Sequence, residues 1–478
     1  MMRSPKFGRA LLFCAAGLLS CLASPGTAQG LDRAQRPKAG PEPAFKFPNV
    51  RMPNVLANGL HVYVVEDHSV PVVAVRVVTS ADSTLDPPGK EGLYAVTLAA
   101  LIEGTATRTA DELAAAAADI GTDVRPTGFT TTAALFPRAL EVLADMVTRP
   151  KLDGAAVERR KTIQTAVARR VAQDPLTLPR HLFYSMLYGE DDAFARSLVL
   201  TEASIRSITA GDVAEFYGSH FRPQNTSIVI VGDVASADAL AQVRHALGAW
   251  SGGGTAPTTL PAAAAGVRPT TIYLHDVPGA QAYLFVGAAG PARTSAESYD
   301  ADVMSALATA RLQRALREKR SFMYSGSTGF TWRRAARPSA FVGSTLVAAQ
   351  KVDSALVEWL SMLRGLRGNE PISPDELAAA RRSRVGSLAS RIDGADLVAS
   401  RVVELVRDTL PLDYFDRYAA RASSLTAADL TAVAARVIDM DHLVIVVAGD
   451  RKVIEPALRA ANLAPVVVVD SSGHPVAP

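Results

Sequence analysis

Cysteine is almost absent from this 478-residue sequence. Its two cysteines, Cys14 and Cys21, both lie in the first 28 residues, a segment with the pattern of a removable leader. The chain beyond that segment has no thiol for a disulfide, a cysteine nucleophile or a thiolate metal site. We therefore expect the folded protein to be stabilised by packing alone.

Several enzyme motifs are missing as well. The sequence contains no Gly-rich phosphate loop, no G-x-S-x-G turn and no H-E-x-x-H motif. With a net charge of only +3 and no basic stretch interleaved with aromatic residues, nucleic-acid binding has little support. No two histidines have the spacing of a ligand pair, so each is interpreted as a surface or hydrogen-bonded residue. The eight are His61, His68, His181, His220, His245, His275, His442 and His474.

The first residues have the order of an export signal. Three basic side chains precede the apolar run ALLFCAAGLLSCLA, and the small-residue stretch SPGTAQG follows it. This order predicts a signal peptide at 1–28, cleaved after Ala28, and a periplasmic protein. A second interpretation stays open, in which LLSC makes Cys21 the lipid-bearing residue of a membrane-anchored lipoprotein. Residues 29–48 are rich in Pro and charge and are predicted to form an exposed arm.

A gapless internal repeat organises the remaining sequence. The stretch from Ile208 to Asp233 aligns at one offset with the stretch from Leu425 to Asp450. Each copy has a Thr followed three residues later by Asp, then an amphipathic run, and then an apolar run closed by Gly-Asp. This pattern predicts a capped helix leading into a buried strand. The repeat therefore predicts two homologous α/β sandwich domains.

Strand-rich sequence opens each half, and a stretch rich in Gly and Pro separates the halves. The predicted segments are a first domain at 49–251, a linker at 252–270, a second domain at 271–467 and a tail at 468–478. Within each half, paired strands precede helices, and helices starting after Thr109 and Ser373 have capping-box sequences. This order favours an α+β fold over a doubly wound sheet.

Three stretches together resemble a known family. They are NGL before paired strands, PPGKEGL leading into a helix that ends in EGT, and LREKRSFMYS in the second half. In this combination the chain resembles the pitrilysin or insulinase family of zinc peptidases over nearly all of its length after the leader. The resemblance implies two metallopeptidase-like domains that form one half of a clamshell.

The resemblance also locates a zinc motif that this chain does not have. In active members, two His and one Glu of an inverted H-x-x-E-H motif lie on the helix between GL and GT. Here those positions hold Ala95, Leu98 and Ala99, none of which offers a lone pair to a metal. The family's third ligand, a Glu, falls near Thr165–Val167, where no carboxylate occurs. The resemblance thus implies no metal or cofactor in this chain.

A second part of the family's active site is retained. In active relatives, an Arg holds the substrate backbone and a Tyr donates a hydrogen bond to the carbonyl under attack. These roles fall on Arg317 and Tyr324. The sequence departs from the family at Ser321 and Phe322, where Gly-Leu is usual, and in the helical stretch SALATARLQRAL. Those changes concern the substrate entrance.

Taken together, the resemblance implies a non-catalytic subunit of an exported heterodimeric zinc metallopeptidase. A homologous partner would carry H-x-x-E-H and the zinc, while Arg317 and Tyr324 complete the site in trans. The substrate would be a short or unfolded peptide added as a strand to a sheet edge. Two alternatives stay open: an inert scaffold or peptide-binding protein of the same fold, and a self-sufficient hydrolase with an unrecognised site.

Overall fold

The structure is a computed structural model that describes residues 45–252, 268–334 and 336–476. The predicted signal peptide, Cys21, and most of the predicted arm and linker lie outside these residues. All the described residues belong to one compact unit.

The first half of the chain builds a five-stranded mixed sheet. Its strands are β1 (Asn54–Val55), β2 (His61–Glu66), β3 (Val72–Thr79), β4 (Gly128–Thr132) and β5 (Thr226–Gly232). They lie in the order β1-β2-β5-β3-β4. Strand β5 runs parallel to β2 and antiparallel to β3, and all its residues are buried. The apolar run before the first Gly-Asp is therefore a central strand.

The second half repeats this arrangement. Its strands are β6 (Thr271–Asp276), β7 (Gln281–Ala292), β8 (Met323–Thr331), β9 (Pro338–Ala348), β10 (Val444–Gly449) and β11 (Val466–Val469). They lie in the order β11-β6-β10-β7-β9-β8. Strand β10 is parallel to β6 and antiparallel to β7, as β5 is to β2 and β3. The sequence repeat is thus a repeat of topology, and the predicted α+β class is confirmed.

Helices cover both sheets. In the first half they are α1 (Leu93–Ala100), α2 (Ala110–Ile120), α3 (Phe136–Thr148), α4 (Gly154–Gln173), α5 (Thr177–Tyr188), α6 (Ala193–Ser197), α7 (Glu202–Ser207), α8 (Ala210–His220) and α9 (Ser236–Leu247). In the second half they are α10 (Glu297–Leu312), α11 (Val352–Arg364), α12 (Pro374–Ala389), α13 (Ala395–Arg407), α14 (Tyr414–Ser424), α15 (Ala427–Val437) and α16 (Arg451–Ala461). Over the ranges that the structure describes, none of them is long and apolar enough to span a bilayer.

The predicted helix starts are confirmed by reciprocal capping. The side chains of Thr109 and Ser373 each accept a hydrogen bond from the backbone N–H of a Glu three residues later, and the carboxylate of that Glu accepts a bond from the backbone N–H of the cap residue. Thr209 and Thr426 do the same with Asp, at closely matching distances in the two repeats. Each box satisfies N–H groups that a helix start otherwise leaves unpaired.

Each half contributes one helix that packs on the sheet of the other half. Helix α13 of the second half packs on β3 and β5 of the first sheet, and its Val398 and Val402 are buried there. Helix α5 of the first half packs on β7 and β10 of the second sheet, where Phe183 lies 6.1 Å from Phe285 between ring centroids. Each sheet therefore depends on the other half to cover one of its faces. The domain boundaries inferred from the sequence stay predictions.

A buried ion pair also joins the halves. The Arg333 guanidinium, just after β8, lies 2.9 Å from the carboxylate of Asp192 at the start of α6, and both side chains are almost completely buried. The same guanidinium lies 4.2 Å from the centroid of the Tyr188 ring. A charge pair removed from water is stable only while both partners are present, so this contact ties α6 to the second sheet.

Candidate functional site

Helix α1 carries the positions of the missing zinc motif. One side of it is buried in the core of the first half through Leu93 and Val96. Ala95, Leu98 and Ala99 are half-buried, and Leu98 also packs against that core. The three side chains at the motif positions contain only carbon and hydrogen, which cannot hold zinc.

The structure explains why Gly92, in the GL pair before α1, is a glycine. Gly92 has φ +104°, and a Cβ at this position would lie 2.4 Å from the Ile205 side chain and 2.6 Å from that of Leu200. Its N–H donates to Asp86 at 2.7 Å, and the N–H of Tyr94 donates to the other oxygen of the same carboxylate at 2.7 Å. Asp86 thus caps α1 from six residues away, because a left-handed Gly has no side chain to do so.

The burial of Asp86 makes stability depend on pH. Desolvation raises the pKa of this carboxyl from its usual 3.8 to about 6, despite its two backbone hydrogen bonds. Because the folded-state pKa lies above the unfolded one, its stabilising contribution is complete below about pH 3.8 and is lost as the pH rises through about 6. Asp86→Asn should reduce the loss of unfolding free energy between pH 4.5 and 7.5 by about 2 kcal/mol.

Urea unfolding of both proteins across this pH range measures the effect. The control is Asp119→Asn, an exposed residue on α2, which should show the same pH dependence as the unsubstituted protein. Equal pH dependence for Asp86→Asn and the unsubstituted protein would show that this carboxyl is already charged in both states.

Thr105, in the GT pair after α1, also has a structural role. The Thr105 hydroxyl donates to the buried Asp145 carboxylate at 2.7 Å, and Thr107 donates to the same oxygen at 2.6 Å. Arg108 and Arg149 bind this carboxylate at 2.8 and 2.9 Å. Burial raises the pKa of Asp145, but these four donors outweigh it and hold the pKa below its usual value. The landmark anchors the loop after α1 to α3.

Helix α4, which packs against α1, carries the positions that the family resemblance assigns to the third zinc ligand. Thr165 and Val167 are half-buried on it and Ala166 is exposed. The nearby carboxylate of Glu103 is occupied by Arg159 and Arg160 of this helix. Across the described ranges, no three His, Cys, Asp or Glu side chains form a group able to hold a metal. This finding is compatible with a chain that binds no zinc.

Two of the histidines that the structure describes lie against carboxylates. His68 lies 2.7 Å from Asp233, and His442 lies 2.6 Å from Asp439. His442 thus pairs with Asp439 and not with Asp441, which precedes it directly in the sequence. These contacts agree with the interpretation of hydrogen-bonded rather than metal-binding histidines.

Arg317 and Tyr324 lie together on the surface of the second half. Tyr324 is 87% exposed, and the Arg317 guanidinium lies 5.8 Å from the centroid of its ring. A cation near an aromatic face is weakly attracted to it, so the two side chains form a pair without a buried anchor. The structure brings these two predicted site residues together, while Ala95, Leu98 and Ala99 belong to the other half.

Two backbone irregularities shape this pair. After α10 the helix widens into a π-type turn over Gln313–Glu318, in which Lys319 N–H donates to the Arg314 carbonyl at 3.0 Å. Strand β8 then contains a bulge between Met323 and Gly326, which places Tyr324 outward. Both kinds of irregularity recur at functional sites, because they redirect a side chain locally.

The turn between them depends on an unusual residue conformation. Ser321 has φ +54°, the left-handed region that Gly prefers, at the position where the resembling family usually has Gly. Its N–H donates to the Arg317 carbonyl at 3.0 Å, and Phe322 N–H donates to the Leu316 carbonyl at 2.7 Å. Ser321 therefore adopts at this turn a conformation that Gly reaches more easily.

The outer edge of β8 is covered by α10. Thr328 N–H donates to the Thr309 hydroxyl at 2.9 Å, and the same hydroxyl donates to the Thr328 carbonyl at 2.9 Å. The Gln313 amide donates to the Gly326 carbonyl at 3.3 Å. The middle of this edge is thus closed to an added peptide strand.

Several of these features escape sequence reasoning. Asp86 lies six residues before the Gly that it serves, outside the spacing of a capping box. Asp145 lies forty residues after Thr105, and only the packing of α3 brings them together. The bulge at Tyr324 has one weak signal, the Gly at 326 within a strand pattern.

Part of this chain is similar in sequence to known proteins. A family model described as the peptidase M16 inactive domain matches residues 207–384, a range that includes Arg317 and Tyr324. An uncharacterized zinc protease of Streptomyces coelicolor is 28% identical over 199 residues. That match covers 40% of this chain and 43% of the relative, so it spans less than half of the relative's length.

Two solved structures share the fold. A peptidase M16 inactive domain from Pseudomonas fluorescens has a TM-score of 0.75 at 22% identity, covering 84% of this chain and 98% of that one. A protease from Helicobacter pylori has a TM-score of 0.75 at 17% identity, covering 84% and 100%. At these identities the likeness establishes the fold.

The fold and the site define a metallopeptidase-like protein whose motif helix has lost its metal ligands. Two repeated mixed sheets, the GL and GT landmarks and the hydrocarbon face of α1 are its defining features. The matched domain, the similar zinc protease and the shared fold together support an inactive protein of the pitrilysin type, peptidase M16. The resemblance stated from the sequence is thus confirmed.

Proposed function

We propose that this chain is the non-catalytic subunit of an exported heterodimeric zinc metallopeptidase. The observation that carries the proposal is a contrast between two sites on one chain. The zinc-motif helix keeps its frame but presents only hydrocarbon, whereas Arg317 and Tyr324 are held outward by a π-type turn and a β-bulge. A homologous partner with H-x-x-E-H would supply the zinc.

The exposure of Tyr324 supports a role outside this chain. A tyrosine that served only this fold would bury its ring and satisfy its hydroxyl, as Tyr217 does by donating to the Val147 carbonyl at 2.8 Å. Tyr324 is instead the most exposed large apolar or aromatic side chain among the described residues. A partner that closed over this face would desolvate the ring and enclose the hydroxyl.

In the closed pair, Arg317 and Tyr324 would act on the substrate. The Arg317 guanidinium would donate to backbone carbonyls of a short or unfolded peptide. The Tyr324 hydroxyl would donate to the carbonyl oxygen on which negative charge develops, in a site shielded from water. Because α10 closes the middle of the β8 edge, the peptide would add to a different sheet edge.

Export is part of the proposal. The basic, apolar and small-residue order of residues 1–28 supports secretion to the periplasm, and LLSC supports lipid attachment at Cys21 as the alternative. Mass spectrometry of the protein isolated from its source cells distinguishes the two, because a lipid-bearing Cys21 and an N-terminus after Ala28 differ in mass.

Isolation of the native assembly tests the proposed function. The full chain, tagged at its C-terminus and purified from its source cells, should carry with it a homologous exported chain that contains H-x-x-E-H. The pair should cleave an unfolded peptide in a reaction that a zinc chelator stops, whereas this chain alone should cleave nothing and bind no stoichiometric zinc. Chelator-sensitive cleavage by the lone chain would refute the proposal.

A further inference from the structure

The second half of the chain contains a cavity that is separate from the Arg317–Tyr324 surface. It encloses about 310 Å³ between the end of β8 and helices α12, α13 and α14, and neither Arg317 nor Tyr324 lines it. Its volume lies at the small end of the range of about 300 to 1,000 Å³ typical of ligand-binding cavities. It has room for one side chain or a small organic molecule.

The cavity is positively charged. Its charged lining consists of Arg293, Arg384, Arg391, Arg401, Asp302 and Glu404, an excess of two positive charges. Arg384 forms an ion pair with Asp302, and Arg401 forms one with Glu404. Arg391, just after α12, is exposed, and within the described part of the chain its guanidinium has no partner. An unpaired guanidinium at the edge of a cavity favours a carboxylate or a similar anion.

A deeper arginine also has an unused donor. Arg293 is only 7% exposed, and it donates to Asp408 at 2.5 Å and to Glu404. Its Nε group, however, is buried without an acceptor among the described residues. A buried donor without a partner costs free energy, and an acceptor atom in the cavity would remove that cost.

One wall of the cavity is aromatic. The rings of Phe330 and Trp332 stack with centroids 4.8 Å apart and planes inclined by 16°. Tyr414 and Tyr418 also line the cavity. Flat rings beside arginine fit a ligand that joins a planar or apolar group to an anion, because one end gains stacking and the other gains charge-assisted hydrogen bonds.

We propose that this cavity binds an aromatic carboxylate, with the ring against Phe330 and Trp332 and the carboxylate at Arg391. The ligand is either a free small molecule or the terminal residue of a peptide, since both present the same group. The proposal does not depend on the role of Arg317 and Tyr324 in trans.

Calorimetric titration of the full chain tests the site with two matched ligand pairs. The first is N-acetylphenylalanine and its C-terminal amide, and the second is an acetylated tetrapeptide ending in Phe and its amide. Both acids should bind if peptides are the source, and only the small acid if the cavity takes free carboxylates. Neither amide should bind, and failure of both acids to bind at millimolar concentration would overturn the proposal.

Variants then locate the binding. Arg391→Gln should weaken binding of the acid about tenfold or more, because a charge-assisted hydrogen bond is lost. Trp332→Leu should weaken it as well, through loss of stacking. Arg382→Gln is the matched control: Arg382 is exposed on α12 but does not line the cavity, so its affinity should not change. Equal weakening by Arg391→Gln and Arg382→Gln would indicate general charge attraction and overturn the site.

Discussion

Replacing Tyr324 by Phe is expected to lower kcat of the purified pair by about 100-fold, with little change in KM. The substitution removes one hydroxyl that we propose to donate a hydrogen bond to the developing oxyanion. Loss of a single donor of this kind typically costs about 100- to 1,000-fold in turnover. Because Tyr324 is 87% exposed and the ring is retained, the stability of the isolated chain should not change. Steady-state kinetics on an unfolded peptide measures the effect.

Two further variants distinguish a role of this surface in turnover from the alternative in which the chain is an inert scaffold. Arg317→Ala should raise KM more than Tyr324→Phe does, because Arg317 is proposed to hold the peptide backbone in the ground state as well. Arg320→Ala, on the same charged segment and paired with Glu358, should leave both constants unchanged. Unchanged turnover for Tyr324→Phe would favour the inert scaffold of the same fold.

Replacing Asp192 by Ala is expected to lower the free energy of unfolding by about 3 to 5 kcal/mol. The substitution leaves the Arg333 guanidinium buried without its counter-charge, and uncompensated buried charge is strongly destabilising. The Asp192 carboxylate also accepts N–H bonds from Phe194 and Ala195 and so caps α6. One Nη of Arg333 already lacks a partner among the described residues, so the local structure has no spare acceptor. Urea unfolding measures the change.

An exposed ion pair supplies the control for that prediction. Asp413 and Arg417 lie 2.7 Å apart, a distance close to that of the buried pair, but their side chains are more than half exposed. Asp413→Ala should therefore cost less than about 1 kcal/mol. Equal losses for Asp192→Ala and Asp413→Ala would mean that burial does not set the strength of the Asp192 contact.

Features that depend on neighbouring residues were predictable from the sequence. The capping boxes at Thr109, Thr209, Ser373 and Thr426, the helix between the GL and GT landmarks and the buried strands before each Gly-Asp are all confirmed. Their signals lie within a few residues of each other, so the chain itself brings the interacting groups together. The loss of metal ligands at Ala95, Leu98 and Ala99 is a matter of residue identity alone.

Features that depend on distant residues were not predictable. The exchange of α5 and α13 between the halves has no local signal, because an apolar helix face shows that it is buried but not against which sheet. The same applies to the cavity at Arg391, which combines Arg293 and Asp302 with residues of β8 and of three later helices.

By itself, then, the sequence determined the α+β class, the repeat, the helix starts and the absence of zinc ligands on α1. Only the tertiary structure decided that Arg317 and Tyr324 lie side by side on an exposed bulge, that Asp86 and Asp145 hold the ends of α1, and that each half completes the other's core. The physical reason is the separation in sequence between the residues that interact. Hydrogen-bond capping and side-chain periodicity act over three or four residues, whereas packing and buried charge pairs join residues more than a hundred positions apart, such as Asp192 and Arg333.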